Sequence, residues 1–155
     1  MCGVKIWTIG YEGRDADELM DILVGAGIEV LMDVRLRPMS RHRPVFAKKN
    51  VAASCEEAGI GYAHEKLLGT PVDLMKRVKA ARAVSDDGRG FDRALKSEYR
   101  KYILGEARGQ LDGAAALSGE RHVCLMCYER DACDCHRSVL AAEIAKATGA
   151  EVVDL

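Results

Sequence analysis

Aromatic residues make up only 5% of this 155-residue chain. That scarcity argues against a stacking platform for single-stranded nucleic acid, which depends on aromatic faces. Neither charge sign is in excess: the formal net charge is −1. A global attraction to nucleic acid or membrane is therefore excluded, and any anion-binding patch has to be local. No apolar run approaches the ~18 residues of a transmembrane helix. The opening MCGVKIWTIG has neither the apolar stretch nor the small-residue cleavage site of a secretory signal. The expectation is a cytoplasmic protein that does not engage a membrane. Thiols there stay reduced, so the six cysteines are not read as three disulfides. Repeats, low-complexity segments and linkers long enough to separate domains are also lacking.

What is present suits one α/β domain over residues 1–155. Apolar residues are 48% of the chain, enough for a real core. VKIWTIG reads as a strand ending at Gly10. Asp15 and Glu18 form a capping-box pattern, with Asp15 as N-cap of a short helix that stops at Gly27. IEVLMDV is nearly continuously apolar, like a strand buried on both faces of a parallel sheet. AKKNVAASCEEAG is a helix ending at Gly59, and IGYAH a third strand. Thr70 and Pro71 open another helix, with Thr70 as the cap and Pro71 at the first helical position. SDDGRG at 85–90 breaks it and reads as a mobile loop. A helical stretch from about Phe91 to Leu117 follows, interrupted near GQLDG at 109–113. Then come a strand (HVCLMCYE), a helix (SVLAAEIAKATG) and a last short strand (EVVDL). This alternation predicts a mostly parallel sheet with helices on both faces. A mostly helical insertion at about 70–118 precedes the final β-α-β unit.

In such a sheet, ligands bind beyond the carboxyl ends of the strands. Gly10 and Tyr11 follow the first strand, Asp33 and Arg35 the second, His64 the third, and Cys127, Tyr128 and Glu129 the fourth. Asp33 and Arg35 are two apart and share a strand face. A carboxylate closing an apolar run needs a partner, which Arg35 or Arg137 can supply. Asp33 is thus either half of a structural ion pair or an acid–base group. Arg35, Arg37, Arg41, Arg43, Lys48 and Lys49 form a local basic patch, in a loop stiffened by Pro38 and Pro44. Either it binds phosphates or it is a solvated loop. Glu129 shares the face of Cys127 and is either a site residue or the partner of a basic-loop arginine. His64 is either a base or a structural histidine. Tyr99 and Tyr102 stand at helical spacing, as packing residues do.

The segment CLMCYERDACDCHR, residues 124–137, holds four cysteines. On a strand Cys124 and Cys127 point to opposite faces, so Cys124 is read as core. Cys2 and Cys55 stand alone and are read as structural or surface residues. A zinc set of Cys127, Cys133, Cys135 and His136 has poor spacing for the usual knuckles. A redox pair would join Cys127 or Cys133 to Cys135. A catalytic thiolate is better motivated, because Cys135 sits near the start of a helix beside His136 and Arg137, where dipole and charge lower a thiol pKa. The phosphatase C-x₅-R loop and the rhodanese loop are both absent.

TIGYEG, DVRLRPMSRHRPVF, LLG at Leu67–Gly69 and MCYERDACDCHR occur in this order. In these motifs the chain resembles the bacterial and archaeal proteins called domain of unknown function 488. The resemblance implies a compact α/β domain and no established reaction. It maps the family pattern onto Thr8, Gly10, Asp33, Arg35, Pro38, Ser40, Arg41, Phe46, Gly69, Cys127, Glu129, Cys135, His136 and Arg137. TPVDLMKRVKAARAV departs from the glycine-rich continuation usual after the family's Leu-Gly.

Three functions follow as expectations. The first is a cysteine-dependent hydrolase or transferase acting on a phosphate-bearing small molecule such as a nucleotide. In it Cys127 or Cys135 is the nucleophile, and Asp33 or Glu129 the acid–base group. Thr8, Gly10, Tyr11, Arg35, Ser40, Arg41, His136 and Arg137 surround the anion, with neither metal nor organic cofactor. The second is a nucleic-acid-binding or regulatory module using the basic loop at 35–49. The third is a zinc- or redox-sensing domain.

Overall fold

The computed structural model describes residues 3–155. Cys2 lies outside them. Five strands form one parallel sheet: β1 (Lys5–Gly10), β2 (Val30–Asp33), β3 (Gly61–His64), β4 (Val123–Cys127) and β5 (Glu151–Asp154), in the order β3-β2-β4-β1-β5. The register aligns the strand ends, with Asp33 beside both His64 and Met126, and Gly10 beside Cys127. From β2 the chain moves toward one sheet edge and from β4 toward the other. The crevice of an open parallel sheet therefore falls between the ends of these two neighbours.

Six α-helices cover the sheet: α1 (Ala16–Gly25), α2 (Lys48–Ala58), α3 (Val72–Val84), α4 (Arg93–Leu104), α5 (Arg108–Glu120) and α6 (His136–Thr148). Leu19 and Leu23 of α1 and Val51 and Cys55 of α2 pack on Trp7, Ile9, Leu31, Cys124 and Met126. On the opposite face α3 to α6 bury Leu74, Leu95, Tyr99, Leu111 and Leu140 against Ile6, Met32, Leu125 and Cys127. Alternation along β4 thus puts Cys124 in one core and Cys127 in the other, as the strand period requires. Tyr99 is fully buried and donates its hydroxyl to the Leu68 carbonyl at 2.5 Å. No helix among the described residues is long and apolar enough to cross a membrane.

Local signals account for most boundaries. The Asp15 carboxylate accepts the Glu18 N–H at 2.7 Å and caps α1. Gly59 closes α2 at φ 74°, a left-handed conformation that costs glycine little. Two expectations need correction. Thr70 does not cap α3: Pro71, in extended conformation, is the N-cap residue, no side chain caps the helix, and Val72 is its first residue. The Thr70 hydroxyl is buried without a hydrogen-bond partner. The interruption expected near GQLDG instead lies at 105–107, between α4 and α5. Gly109 and Gly113 are inside α5, where each costs about 1 kcal/mol relative to alanine. Burial of Leu111, Ala114 and Ala115 on one face of α5 offsets that cost. The end of the SDDGRG loop packs closely on α3: a Cβ on Gly90 would lie 2.3 Å from the Val78 carbonyl oxygen.

Candidate functional site

The end of β4 and the start of α6 meet beyond the sheet. Cys127 is the last residue of β4, and Cys135 is the N-cap residue of α6. Between them, 132–134 form one 3₁₀ turn, which leaves Cys133 exposed and Cys135 buried. The Sγ atoms of Cys127 and Cys135 and a ring nitrogen of His136 all lie within 4.8 Å of one another. His136 Nδ1 is 3.5 Å from Cys135 Sγ and 3.8 Å from Cys127 Sγ. The other ring nitrogen, Nε2, is 2.8 Å from the Val34 carbonyl oxygen. A carbonyl only accepts, so Nε2 carries the proton and Nδ1 faces the two sulfurs.

Charges at this cluster are interdependent. Burial pushes the Cys135 thiol up, but the hydrogen bond from Cys127, the adjacent His136 and Arg137 outweigh it and hold Cys135 well below its ordinary pKa. The bond donated to Cys135, reinforced by burial, holds the Cys127 thiol well above it. Cys135 is thus the more acidic of the two sulfurs. Burial opposes a charge on His136, yet the neighbouring Cys135 raises its pKa overall. Glu129 Oε2 lies 3.6 Å from Cys127 Sγ, and its Oε1 pairs with Arg82 of α3 at 2.9 Å. Burial and the nearby Cys135 raise the Glu129 pKa against the pull of Arg82. Glu129 therefore does not pair with a basic-loop arginine. The reason is topological: α3 lies on the Cys127 face, and the basic loop follows β2.

A cavity of about 350 Å³ opens over this cluster. Cys127 and His136 form its buried floor with Tyr11, and Glu129 stands beside them. Arg37 and, from α3, Lys76 and Lys79 contribute exposed cations to the lining. Leu36, Val72 and Met75 give it an apolar wall.

Other expected site residues serve the scaffold. Asp33 is fully buried and takes two hydrogen bonds from the Arg35 guanidinium, at 2.8 and 2.6 Å. Its carboxylate also accepts the Tyr62 hydroxyl. Arg35 donates further to the Phe46 carbonyl and the Tyr11 hydroxyl. Burial disfavours its charge, but Asp33 more than restores it and holds the pKa above the ordinary value. Arg35 touches the cavity, yet most of its donors are already engaged. Arg137 is 1% exposed and donates to the carbonyls of Glu129 and Arg130, so it fixes the loop after β4. Thr8 is buried and donates to the Asp154 carboxylate on β5. Gly10 is where backbones meet: a Cβ there would lie 1.8 Å from the Glu129 carbonyl oxygen. Ser40 accepts the Arg43 N–H within its own loop. Arg41 is exposed, outside the cavity lining. His64 donates to the Arg35 carbonyl at 2.8 Å and so braces the loop.

Arg82, Lys76 and Lys79 escaped the sequence reading. The two lysines are three apart on α3 and share a helix face, but no local pattern says that this face overlooks the strand ends.

No curated protein and no solved structure matches the chain. A family model described as domain of unknown function DUF488 matches residues 15–144, which leaves the TIGYEG motif outside the matched span. With most of its length covered by that match, from the cap of α1 through the cysteine cluster to the second-last turn of α6, the chain belongs to the DUF488 family.

Proposed function

We propose that this protein is a cysteine-dependent hydrolase or transferase acting on a phosphate-bearing small molecule held in the cavity above Cys127. The observation that carries this reading is the pairing of a sulfur–imidazole floor with a cationic rim in one enclosure. Cys127 is the sulfur that lines the cavity, and Cys135 stands behind it as its acidic partner. His136 Nδ1 and the Glu129 carboxylate are the proton carriers within reach of Cys127. Arg37, Lys76 and Lys79 outnumber Glu129 in the lining, which favours an anionic ligand. The volume falls within the usual range for small-molecule sites.

The nucleic-acid alternative loses ground because two cations of its basic loop turn inward. Arg35 is buried, and Arg43 folds over the Phe46 ring and donates to the Arg14 carbonyl. The two readings separate in one calorimetric titration with a nucleoside 5′-monophosphate. Charge reversal at Lys76 and Lys79 (Lys76→Glu with Lys79→Glu) is expected to weaken binding about tenfold or more, some 1.4 kcal/mol. Arg41→Glu is expected to leave it unchanged. Equal binding by wild type and the Lys76/Lys79 variant would overturn the cavity assignment. A loss caused by Arg41→Glu alone would return the site to the basic loop.

A further inference from the structure

We infer that Cys127, Cys135 and His136 form a three-donor site for a thiophilic divalent cation, zinc above all, with its fourth position open. A tetrahedral zinc centre with ordinary bond lengths of ~2.3 Å to sulfur and ~2.0 Å to nitrogen or oxygen puts sulfur about 3.6 Å from either atom. His136 Nδ1 is 3.5 and 3.8 Å from the two sulfurs. Cys127, Cys135 and His136 therefore already stand near three corners of one coordination tetrahedron.

The surroundings fit the same chemistry. A ligating histidine commonly gives its second N–H to a backbone carbonyl, which fixes ring and tautomer. His136 does so through Nε2 on Val34, leaving Nδ1 for the cation. Cys127, Cys135 and His136 are all buried, on a strand end and a helix start that the core keeps in place. A cation here would displace the Cys127 thiol proton and offset the charge of the two buried sulfurs it binds. The zinc set considered from sequence included Cys133, which is exposed and lines a different cavity, beside Lys96 and Asp134. Removing Cys133 leaves Cys127, Cys135 and His136 as one coherent set.

The cation site stands on the cluster alone, whatever fills the cavity. Its consequence for the proposed activity rests on that reading: with the cation bound, Cys127 is a ligand and no longer a nucleophile, and the fourth position would be open to a phosphoryl oxygen.

The test uses the full chain, reduced and freed of metal by chelator, then titrated with cobalt(II) as a spectroscopic probe and competed with zinc. One equivalent per chain is expected. It should give a thiolate-to-cobalt charge-transfer band and the intense visible absorption of tetrahedral cobalt, both abolished by zinc. Cys127→Ser and Cys135→Ser should lose the charge-transfer intensity of one sulfur each and bind at least about tenfold more weakly, whereas Cys133→Ser should match wild type. Circular dichroism identifies a variant that has not folded, and Glu129→Gln, which removes none of the three donors, is expected to bind cobalt with both sulfur contributions intact. A folded, reduced wild-type protein that shows no charge-transfer band overturns the inference, as does an equal loss with Cys133→Ser. Nucleotide binding measured on the metal-free protein reports separately on the cavity, so either claim can fail without the other.

Discussion

Asp33→Ala is expected to destabilise the protein by about 3–5 kcal/mol, the usual cost of removing one partner of a buried ion pair. Urea denaturation would show it as a lower midpoint at unchanged slope. The size follows from what is left behind. Asp33 is fully buried and Arg35 is 6% exposed. Without the carboxylate, Arg35 keeps only the Phe46 carbonyl and the Tyr11 hydroxyl, and the Tyr62 hydroxyl loses its acceptor. The guanidinium cannot neutralise itself, so an uncompensated charge remains beneath the loop after β2. That loop carries Arg37 into the cavity and Val34 to His136, so ligand affinity should fall along with stability. A loss below about 1 kcal/mol would put the pair in the range of exposed ion pairs and refute its role as the keystone of the β2 end.

Gly10→Ala is the second large effect. The added Cβ would sit 1.8 Å from the Glu129 carbonyl oxygen and 2.5 Å from its carbon. These are backbone atoms, and Arg137 binds the same carbonyl, so no flexible side chain can yield. The end of β1 and the loop after β4 must move apart. Overpacking of this kind costs typically 1–3 kcal/mol, occasionally more. The displacement falls on the loop directly after Cys127, so binding of both the nucleotide and the cobalt probe should weaken along with stability. Gly109→Ala is the control: nothing lies within 4 Å of its Cβ position inside α5. It should be neutral or stabilising by up to about 1 kcal/mol. If both variants melt together with wild type, the close approach at Gly10 is not a constraint on the fold.

The sheet and its helices were legible because their signals are local. The near-continuous apolar run at 28–34 marks a strand covered on both faces, and Asp15 and Gly59 mark helix ends by side chain and backbone chemistry. Alternation along β4 separated Cys124 from Cys127 correctly. Where local chemistry competed with packing, the reading slipped: Gly109 and Gly113 signal a break, but the buried face of α5 overrides them. The site was legible as a set of strand ends, not as contacts. Sheet order decides that β4 lies between β2 and β1, and no segment of the sequence encodes it locally. The approach of Cys127 to Cys135, the Val34–His136 bond and the Arg82–Glu129 pair all depend on that order. The arginines show the limit most clearly. Arg35, Arg41 and Arg137 are equally basic as letters, yet one is locked to Asp33, one is exposed, and one is spent on backbone carbonyls. The cations that line the cavity from α3 are Lys76 and Lys79 instead.

The central claim is that an anionic ligand and the sulfur of Cys127 share one cavity. The most direct measurement is the alkylation rate of each cysteine in metal-free, reduced protein, read by mass spectrometry with and without a nucleoside 5′-monophosphate. The account predicts that the nucleotide slows labelling of Cys127 several-fold and leaves exposed Cys133 unchanged, and that the Lys76/Lys79 charge reversal abolishes the protection. Labelling of Cys127 at the same rate with and without nucleotide, or equal slowing of Cys127 and Cys133, would contradict it.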